Sequence, residues 1–140
     1  MKKIILICLA VLILTSCQSA KNDDEVLVIR DKVFIEQVNE LYLNADKYNG
    51  KTVKYEGIFL SENHNGTDFY YVIRYGPGCC GNDGLVGFEI IYEPGEYPEN
   101  NSWVEAVGVL EELRENGKRT VRLNLTSLTV VENRGEDYVG

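Results

Sequence analysis

Apolar residues recur with a helical period in the segment that follows residue 30. They stand every three to four positions, and acidic and amide side chains fill the places between them. The recurring apolar residues are Phe34, Val38, Leu41 and Ala45. This pattern predicts an amphipathic helix that begins at Asp31 and ends near Asn49 and Gly50, a pair typical of a helix stop. We expect its apolar face to pack against a sheet.

The period changes to two after Gly50, as is typical of β-strands. Long strands are predicted at 52–60, 69–74, 85–92, 103–113 and 121–130, and a short apolar run at 26–29 predicts an extra edge strand. Gly57 lies inside the first long strand, where we expect the sheet to bend. In the last strand the alternation slips at Thr126 and Ser127, which predicts a β-bulge.

Five strands within about 110 residues, joined by hairpin-type turns, favour a small closed barrel over a sandwich. The predicted fold class is mainly β: an antiparallel five-stranded barrel of the oligonucleotide/oligosaccharide-binding (OB) type, with one N-terminal amphipathic helix and a short extra edge strand. OB barrels usually carry a helix between their third and fourth strands. Residues 94–101 are too short and too rich in proline for that helix, so we expect the N-terminal helix to cap the barrel instead.

The N-terminus has the pattern of a secretory signal. Two lysines precede an apolar run that is too short for a stable membrane span, and small residues lead to Cys17. The segment Leu14-Thr15-Ser16-Cys17 resembles the lipobox of bacterial lipoproteins; an ordinary cleaved signal with an incidental cysteine is the alternative. The predicted divisions are a lipoprotein signal peptide (1–16), a flexible tether from lipidated Cys17 (17–25), the barrel domain (26–133) and a polar tail (134–140). We therefore expect a protein of the bacterial cell envelope, lipid-anchored to a membrane and facing outside the cytoplasm.

The charge balance argues against one class of partner. The chain has 14 basic and 22 acidic residues, a formal net charge of −8, and removal of a signal peptide with Lys2 and Lys3 would bring it near −10. Affinity for a phosphate backbone comes mainly from cationic side chains. Nucleic acid is therefore not an expected partner. A membrane is an expected partner, reached through the N-terminal lipid.

A glycine-rich loop at residues 75–87 contains the candidate chemistry. Cys79 and Cys80 are the only thiols that would remain in the barrel domain, and Asp83 follows closely. Two thiolates and a carboxylate suit a thiophilic metal ion such as zinc, and His64, the single histidine, would complete the site if its loop lay at the same barrel end. Alternatively, the pair forms a strained, reducible disulfide, or the cysteines are buried small side chains that shape the turn.

Aromatic residues and potential catalytic groups give weaker signals. Four tyrosines could form a stacking platform for a sugar or peptide, although aromatic side chains in strands more often belong to the core. They are Tyr70, Tyr71, Tyr75 and Tyr92. With one histidine and no motif around a serine, the sequence offers no nucleophile with a partner base. We therefore expect a protein that is not an enzyme.

Several blocks of the sequence resemble an uncharacterised bacterial domain found at the C-terminus of YcgQ-type proposed permease subunits and in stand-alone lipoproteins. The blocks are Phe34–Ala45, Tyr48–Val53, Gly57–Phe59, Ile73–Gly84, Gly87–Glu89 and Trp103–Val104. The resemblance covers 26–138, and its most specific part is Cys-Cys-x-x-Asp, which places Cys79, Cys80 and Asp83 in the family pattern without an established catalytic role. It implies association with a permease, although this chain lacks the transmembrane helices of those subunits.

These observations together predict a lipid-anchored, extracytoplasmic binding or accessory module. The loop of Cys79 and Cys80 would present or sense a metal or metalloid solute for a membrane permease. One alternative is a structural or protein-interaction lipoprotein of the envelope in which the cysteines are scaffold. A second alternative is a thiol-redox protein.

Overall fold

The structure, a computed structural model, describes residues 25–78 and 83–140. The predicted signal peptide and Cys17 lie outside these residues, as do Cys79 and Cys80. In chain order the elements are β1 (Leu27–Val28), a 3-10 turn (Asp31–Val33), α1 (Phe34–Leu43), α2 (Ala45–Tyr48), β2 (Thr52–His64), β3 (Thr67–Pro77), β4 (Asp83–Ile91), β5 (Trp103–Glu115) and β6 (Lys118–Val130). The predicted helix is thus confirmed, with a break at Asn44.

Five strands close into a barrel. β2 pairs with both β3 and β5, β4 joins β3 to β6, and β6 returns to β5. This is the connectivity of an OB barrel, so the predicted fold class is confirmed. β1 lies outside the ring and bonds to β2, which confirms the extra edge strand.

The barrel is mixed rather than fully antiparallel, and that part of the prediction was wrong. β4 and β6 run parallel from the pair Glu89 and Arg122 to the pair Ile91 and Asn124, and β1 also runs parallel to β2. The reason is geometric. Strand directions cannot alternate throughout a closed ring with an odd number of strands, so at least one neighbouring pair must be parallel.

Two hairpin turns fix the register of the long strands. The β2–β3 turn consists of Asn65 and Gly66, and the β5–β6 turn consists of Asn116 and Gly117; all four residues have positive φ. Asn-Gly is the pair that a two-residue turn of this hand favours, because both central residues adopt left-handed angles. The turn is therefore shorter than the gap between the predicted strands 52–60 and 69–74, since β2 and β3 both extend into that gap.

The predicted bend and bulge are both present. β2 pairs with β5 up to Ile58 and with β3 from Ile58 onward, so the strand changes partner next to Gly57. A Cβ atom at Gly57 would lie 2.7 Å from the carbonyl oxygen of Ile73, which explains the glycine. In β6, Thr126 is the extra residue of a bulge, because its two neighbours pair with adjacent residues of β5.

The two ends of the barrel are filled by different elements. α1 covers the end where β2 begins, and its Phe34 ring lies 5.9 Å from the ring of Tyr55 in the core. At the other end the β4–β5 connection places Tyr97 against Tyr70 at 3.7 Å and against Phe59 at 5.7 Å. Full burial of a ring such as that of Phe34 contributes about 1.5–3 kcal/mol, and the half-buried ring of Tyr97 contributes less. Aromatic side chains, including Tyr97 of the β4–β5 connection, thus fill the end of the barrel that a helix covers in most OB folds.

Candidate functional site

The cysteine pair belongs to the β3–β4 hairpin. Pro77 of β3 pairs with Asp83 of β4, and Gly76 pairs with Gly84. The connection between the paired positions is residues 78–82, which include Cys79 and Cys80. The two cysteines lie outside the described residues, but the strands that lead into and out of their segment are described and continuously paired.

A C-terminal segment holds the base of this hairpin. β3 pairs with β2 only as far as Ile73, and its freed edge is taken by residues near the chain end. The N–H of Tyr75 donates to the carbonyl oxygen of Asp137 at 2.8 Å, and the N–H of Val139 donates to the carbonyl oxygen of Tyr75 at 2.7 Å. We call residues 134–139 the C-terminal strap. It closes the gap in the sheet just before the hairpin reaches the cysteines.

Side-chain contacts fasten the strap. Val139 is only 5% exposed and belongs to the main core. The guanidinium of Arg134 donates to both carboxylate oxygens of Asp137 at 2.7 and 3.0 Å and to the carbonyl oxygen of Asn101 at 2.8 Å. It also lies 5.5 Å from the centre of the Trp103 ring. The residues predicted as a polar tail are therefore packed against the barrel.

Arg74 occupies the place where β3 and β2 separate. Its side chain is 2% exposed, and its Nε donates to the carbonyl oxygen of Glu56 at 2.9 Å while Nη2 contacts the Asp31 carboxylate at 2.7 Å. The guanidinium lies between the rings of Phe34, at 4.7 Å, and Trp103, at 4.8 Å. The charge is thus offset by one carboxylate, one carbonyl and two aromatic faces. Sequence reasoning missed this residue; its only signal was a cation at an inward position of an apolar strand.

The structure separates two of the predicted site residues. Asp83 is exposed at the start of β4, beside the cysteine segment. His64 ends β2 at the opposite hairpin, where its Nε2 lies 3.0 Å from a carboxylate oxygen of Glu62. The whole length of β3 separates them, ten residue steps or about 30 Å along the strand. His64 is therefore not available to complete a site with Asp83 and the cysteines.

The described residues contain no preformed cluster for a metal. No three carboxylate, imidazole or thiol side chains converge within residues 25–78 and 83–140. Among the described residues that directly flank the cysteine segment, 76–78 and 83–84, Asp83 is the side chain that can supply a metal ligand. Likewise, no helix within these two ranges has the length and apolar character needed to cross a membrane.

The four tyrosines do not form one platform. Tyr70 and Tyr92 both pack with Tyr97 at the end of the barrel. Tyr71 and Tyr75 contact the smaller cluster around Trp103 instead. Because successive residues of a strand point to opposite faces, neighbouring tyrosines were bound to separate.

The strand topology defines residues 27–130 as an OB barrel. The chain belongs to the family described as the DUF1980 C-terminal domain, whose model matches residues 14–139. This membership confirms the resemblance to YcgQ-type C-terminal domains at the level of the family.

Comparisons with individual proteins add little. A search of curated proteins gives no significant match. Among solved structures, the chain is similar to the N-terminal domain of PriB protein from Thermoanaerobacter tencongensis, described as dimeric, at 19% identity over 59% of this chain and 97% of that one, with a TM-score of 0.36. A similarity of that strength says nothing about function.

Proposed function

We propose that this chain is a lipid-anchored, extracytoplasmic binding and accessory module, in which the loop of Cys79 and Cys80 binds a thiophilic metal or metalloid for a membrane permease. One observation carries the proposal: the register of the β3–β4 hairpin encloses both cysteines in residues 78–82, with Asp83 exposed at the base. Two thiolates and a carboxylate oxygen are a ligand set that suits zinc and similar ions.

The anchoring of the hairpin supports binding. β4 pairs with one edge of β3 up to Pro77, and the C-terminal strap bonds to the other edge at Tyr75. A loop whose ends are held in this way loses less conformational entropy when it closes on a ligand. The proposed role is binding rather than catalysis; in support, the single histidine, a common general base, lies at the opposite hairpin beside Glu62.

The membrane location rests on the sequence. The apolar run and Leu14-Thr15-Ser16-Cys17 supply the signal and the lipidation site of the proposal. A lipid at Cys17 would keep the barrel next to a membrane protein partner. Expression of the chain in a bacterial host with a labelled fatty acid tests this step. Label should enter the parent chain and be absent from Cys17→Ser, with Ser16→Ala as a control that keeps the cysteine.

Alkylation of the thiols tests the metal site. The reduced full chain, in a non-ionic detergent, is treated with N-ethylmaleimide with and without Zn²⁺, and the peptide that contains Cys79 and Cys80 is followed by mass spectrometry. Zinc should slow its alkylation by about tenfold or more, since a bound thiolate is not free to react. Asp83→Asn should weaken this protection, whereas Asp46→Asn, an exposed carboxylate on α2, should leave it unchanged.

Two other results would contradict the proposed metal site and favour one of the alternative functions. Equal alkylation rates with and without Zn²⁺ would favour the envelope scaffold alternative, in which the cysteines shape the turn. A pair that is oxidised as purified and cycles between dithiol and disulfide at a physiological potential would favour the thiol-redox alternative.

A further inference from the structure

A cleft of about 450 Å³ opens where β4 separates from β6. β4 pairs with β6 only from Glu89 onward, so the first half of β4 pairs with β3 alone. α1 borders the gap through Tyr42, whose ring stacks on Phe88 at 5.1 Å and whose hydroxyl donates to the carbonyl oxygen of Gly87 at 2.9 Å. These contacts hold one wall of the cleft in place.

The cleft lies on the face that OB barrels use for ligands. In such barrels the second and third strands carry the ligand, flanked by the first and the last hairpin turns. Here those strands are β3 and β4, and the turns are at 65–66 and 116–117. A chain with a net charge of −8 is not suited to the nucleic acids that many OB barrels bind, so another ligand chemistry is needed.

Glu89 provides the charge of the cleft. Its side chain lines the cleft, is half-buried, and forms no ion pair with any residue of the described ranges. A carboxylate that is partly removed from water without a cation is costly. The second carboxylate of the cleft, Glu62, faces His64, which offsets its charge only when the imidazole is protonated.

Among the described residues that line the cleft, Arg119 is the one cation, and its side chain is engaged elsewhere. Nη2 of Arg119 donates to the backbone oxygen of Tyr42, and its Nε lies 3.8 Å from a carboxylate oxygen of Glu112. Arg119 therefore fastens α1 to β6 and forms no ion pair with Glu89. The field of the two cleft carboxylates acts on Tyr71, whose pKa is raised by burial first and then by Glu89 and Glu62.

The remaining walls are aromatic and aliphatic. They are formed by Tyr71, Ile73, Leu85, Phe88 and Val121. Leu85 is 57% exposed, although it is a large apolar side chain. A ligand in this cleft would thus cover apolar surface and place its polar end beside carboxylates.

We propose that the cleft binds an organic cation, an ammonium or guanidinium group on an apolar chain, with Glu89 as its charged contact and Tyr71 as an aromatic wall. A carboxylate forms strong charge-assisted hydrogen bonds with such groups, and an aromatic face attracts them. The aliphatic walls take up the apolar chain. The residues that line this cleft do not include 78–82, and the proposal does not depend on the function proposed for the cysteines.

The test uses n-butylammonium as the cation and n-butanol as a neutral probe of the same shape. Backbone amide shifts of the full chain, ¹⁵N-labelled and held in a non-ionic detergent, are followed by NMR. Butylammonium should shift the amides of residues 85–89 with a millimolar Kd, and butanol should shift them far less. Glu89→Gln should weaken binding of butylammonium by about tenfold or more. Glu105→Gln is the control, because Glu105 pairs with Lys54 outside the cleft and carries the same charge.

Three results would overturn the proposal: no shift at residues 85–89, equal shifts with butanol, or equal binding by Glu89→Gln. Unchanged amides elsewhere in Glu89→Gln would show that this variant is folded. The peptide acetyl-Gly-Lys-Gly-amide then decides the source of the cation. Tighter binding than butylammonium would support a lysine side chain of a partner protein, and weaker binding would support a free amine.

Discussion

The guanidinium of Arg74 lies 4.8 Å from the centre of the Trp103 ring, inside the wall of the barrel. The arginine comes from β3 and the tryptophan from β5, two strands that do not pair with each other. The arginine thereby fills the gap that opens where β3 leaves β2. A charged side chain has the role of a core residue here because its Nε and Nη2 are bonded and its two faces are covered by rings, while the buried Nη1 has no partner among the described residues.

Arg74→Ala is expected to lower the free energy of unfolding by about 3 kcal/mol, because it removes ring packing and leaves the Glu56 carbonyl without its donor. Asp31→Asn should cost about 1–2 kcal/mol, less than Arg74→Ala, because the carboxylate is largely exposed but its loss leaves the buried guanidinium without a counter-charge. Urea unfolding of both variants measures the two losses. A loss in Arg74→Ala no larger than that in Asp31→Asn would show that the arginine is not part of the core.

The C-terminal strap should stabilise the barrel through Val139. Val139→Ala removes two buried methyl groups and should lower the free energy of unfolding by about 1–2 kcal/mol. Val130→Ala is the matched control, since Val130 is 56% exposed, and it should change stability by less than about 0.5 kcal/mol. Equal losses in the two variants would mean that the strap is not held against the barrel in solution.

Gly87 should not accept any side chain. A Cβ atom there would lie 2.2 Å from the carbonyl oxygen of Val72, so β3 and β4 would have to move apart. Gly87→Ala should therefore destabilise the protein by more than about 3 kcal/mol or prevent folding. In Gly84→Ala the new atom meets its nearest neighbour at an ordinary 3.5 Å, and a loss below about 1 kcal/mol is expected. Thermal unfolding and the yield of folded protein distinguish the two.

The raised pKa of Tyr42 predicts that the protein loses stability in alkaline solution. Burial, followed by the nearby carboxylate of Glu89, raises the pKa of Tyr42 to about 12. The folded state holds this proton more tightly than the unfolded chain, whose tyrosines titrate near pH 10. Its stabilising contribution is therefore complete below pH 10 and is lost as the pH rises from about 10 to about 12.

The loss assigned to Tyr42 is about 2 kcal/mol. Urea unfolding between pH 9 and pH 12 in parent, Tyr42→Phe and Tyr138→Phe measures it, because Tyr138 is half-exposed and serves as the control. Tyr42→Phe should show a smaller decline with pH than the other two. Three identical pH profiles would contradict the assignment.

Local signals in the sequence were enough for much of the fold. The spacing of Phe34, Val38 and Leu41 predicted α1, and the slip at Thr126 predicted the bulge in β6. Both features depend on residues that are neighbours in the chain. Strand direction, in contrast, does not depend on neighbouring residues alone. The parallel pairing of β4 with β6 follows from closure of a ring with an odd number of strands, which no single segment reveals.

The candidate site was predictable only in part. The family pattern marked Asp83, and the register now places it at the base of the cysteine hairpin. The sequence did not exclude His64 as a ligand, because its position depends on where β2 and β3 end. Both strands extend beyond their apolar runs, and this extension places His64 at the opposite hairpin. The environment of Glu89 was not visible either, since it is formed by four strands and a helix that meet only in the folded barrel.

The most direct test of the central claim is the intact mass and metal content of the full chain, purified gently with and without reductant. We predict about one thiophilic metal ion per chain, lost in Cys79→Ser and in Cys80→Ser. A metal-free protein that is two hydrogens lighter than the dithiol would contradict it. That result would assign a Cys79–Cys80 disulfide, and the function would then have to be sought on the surface of the barrel.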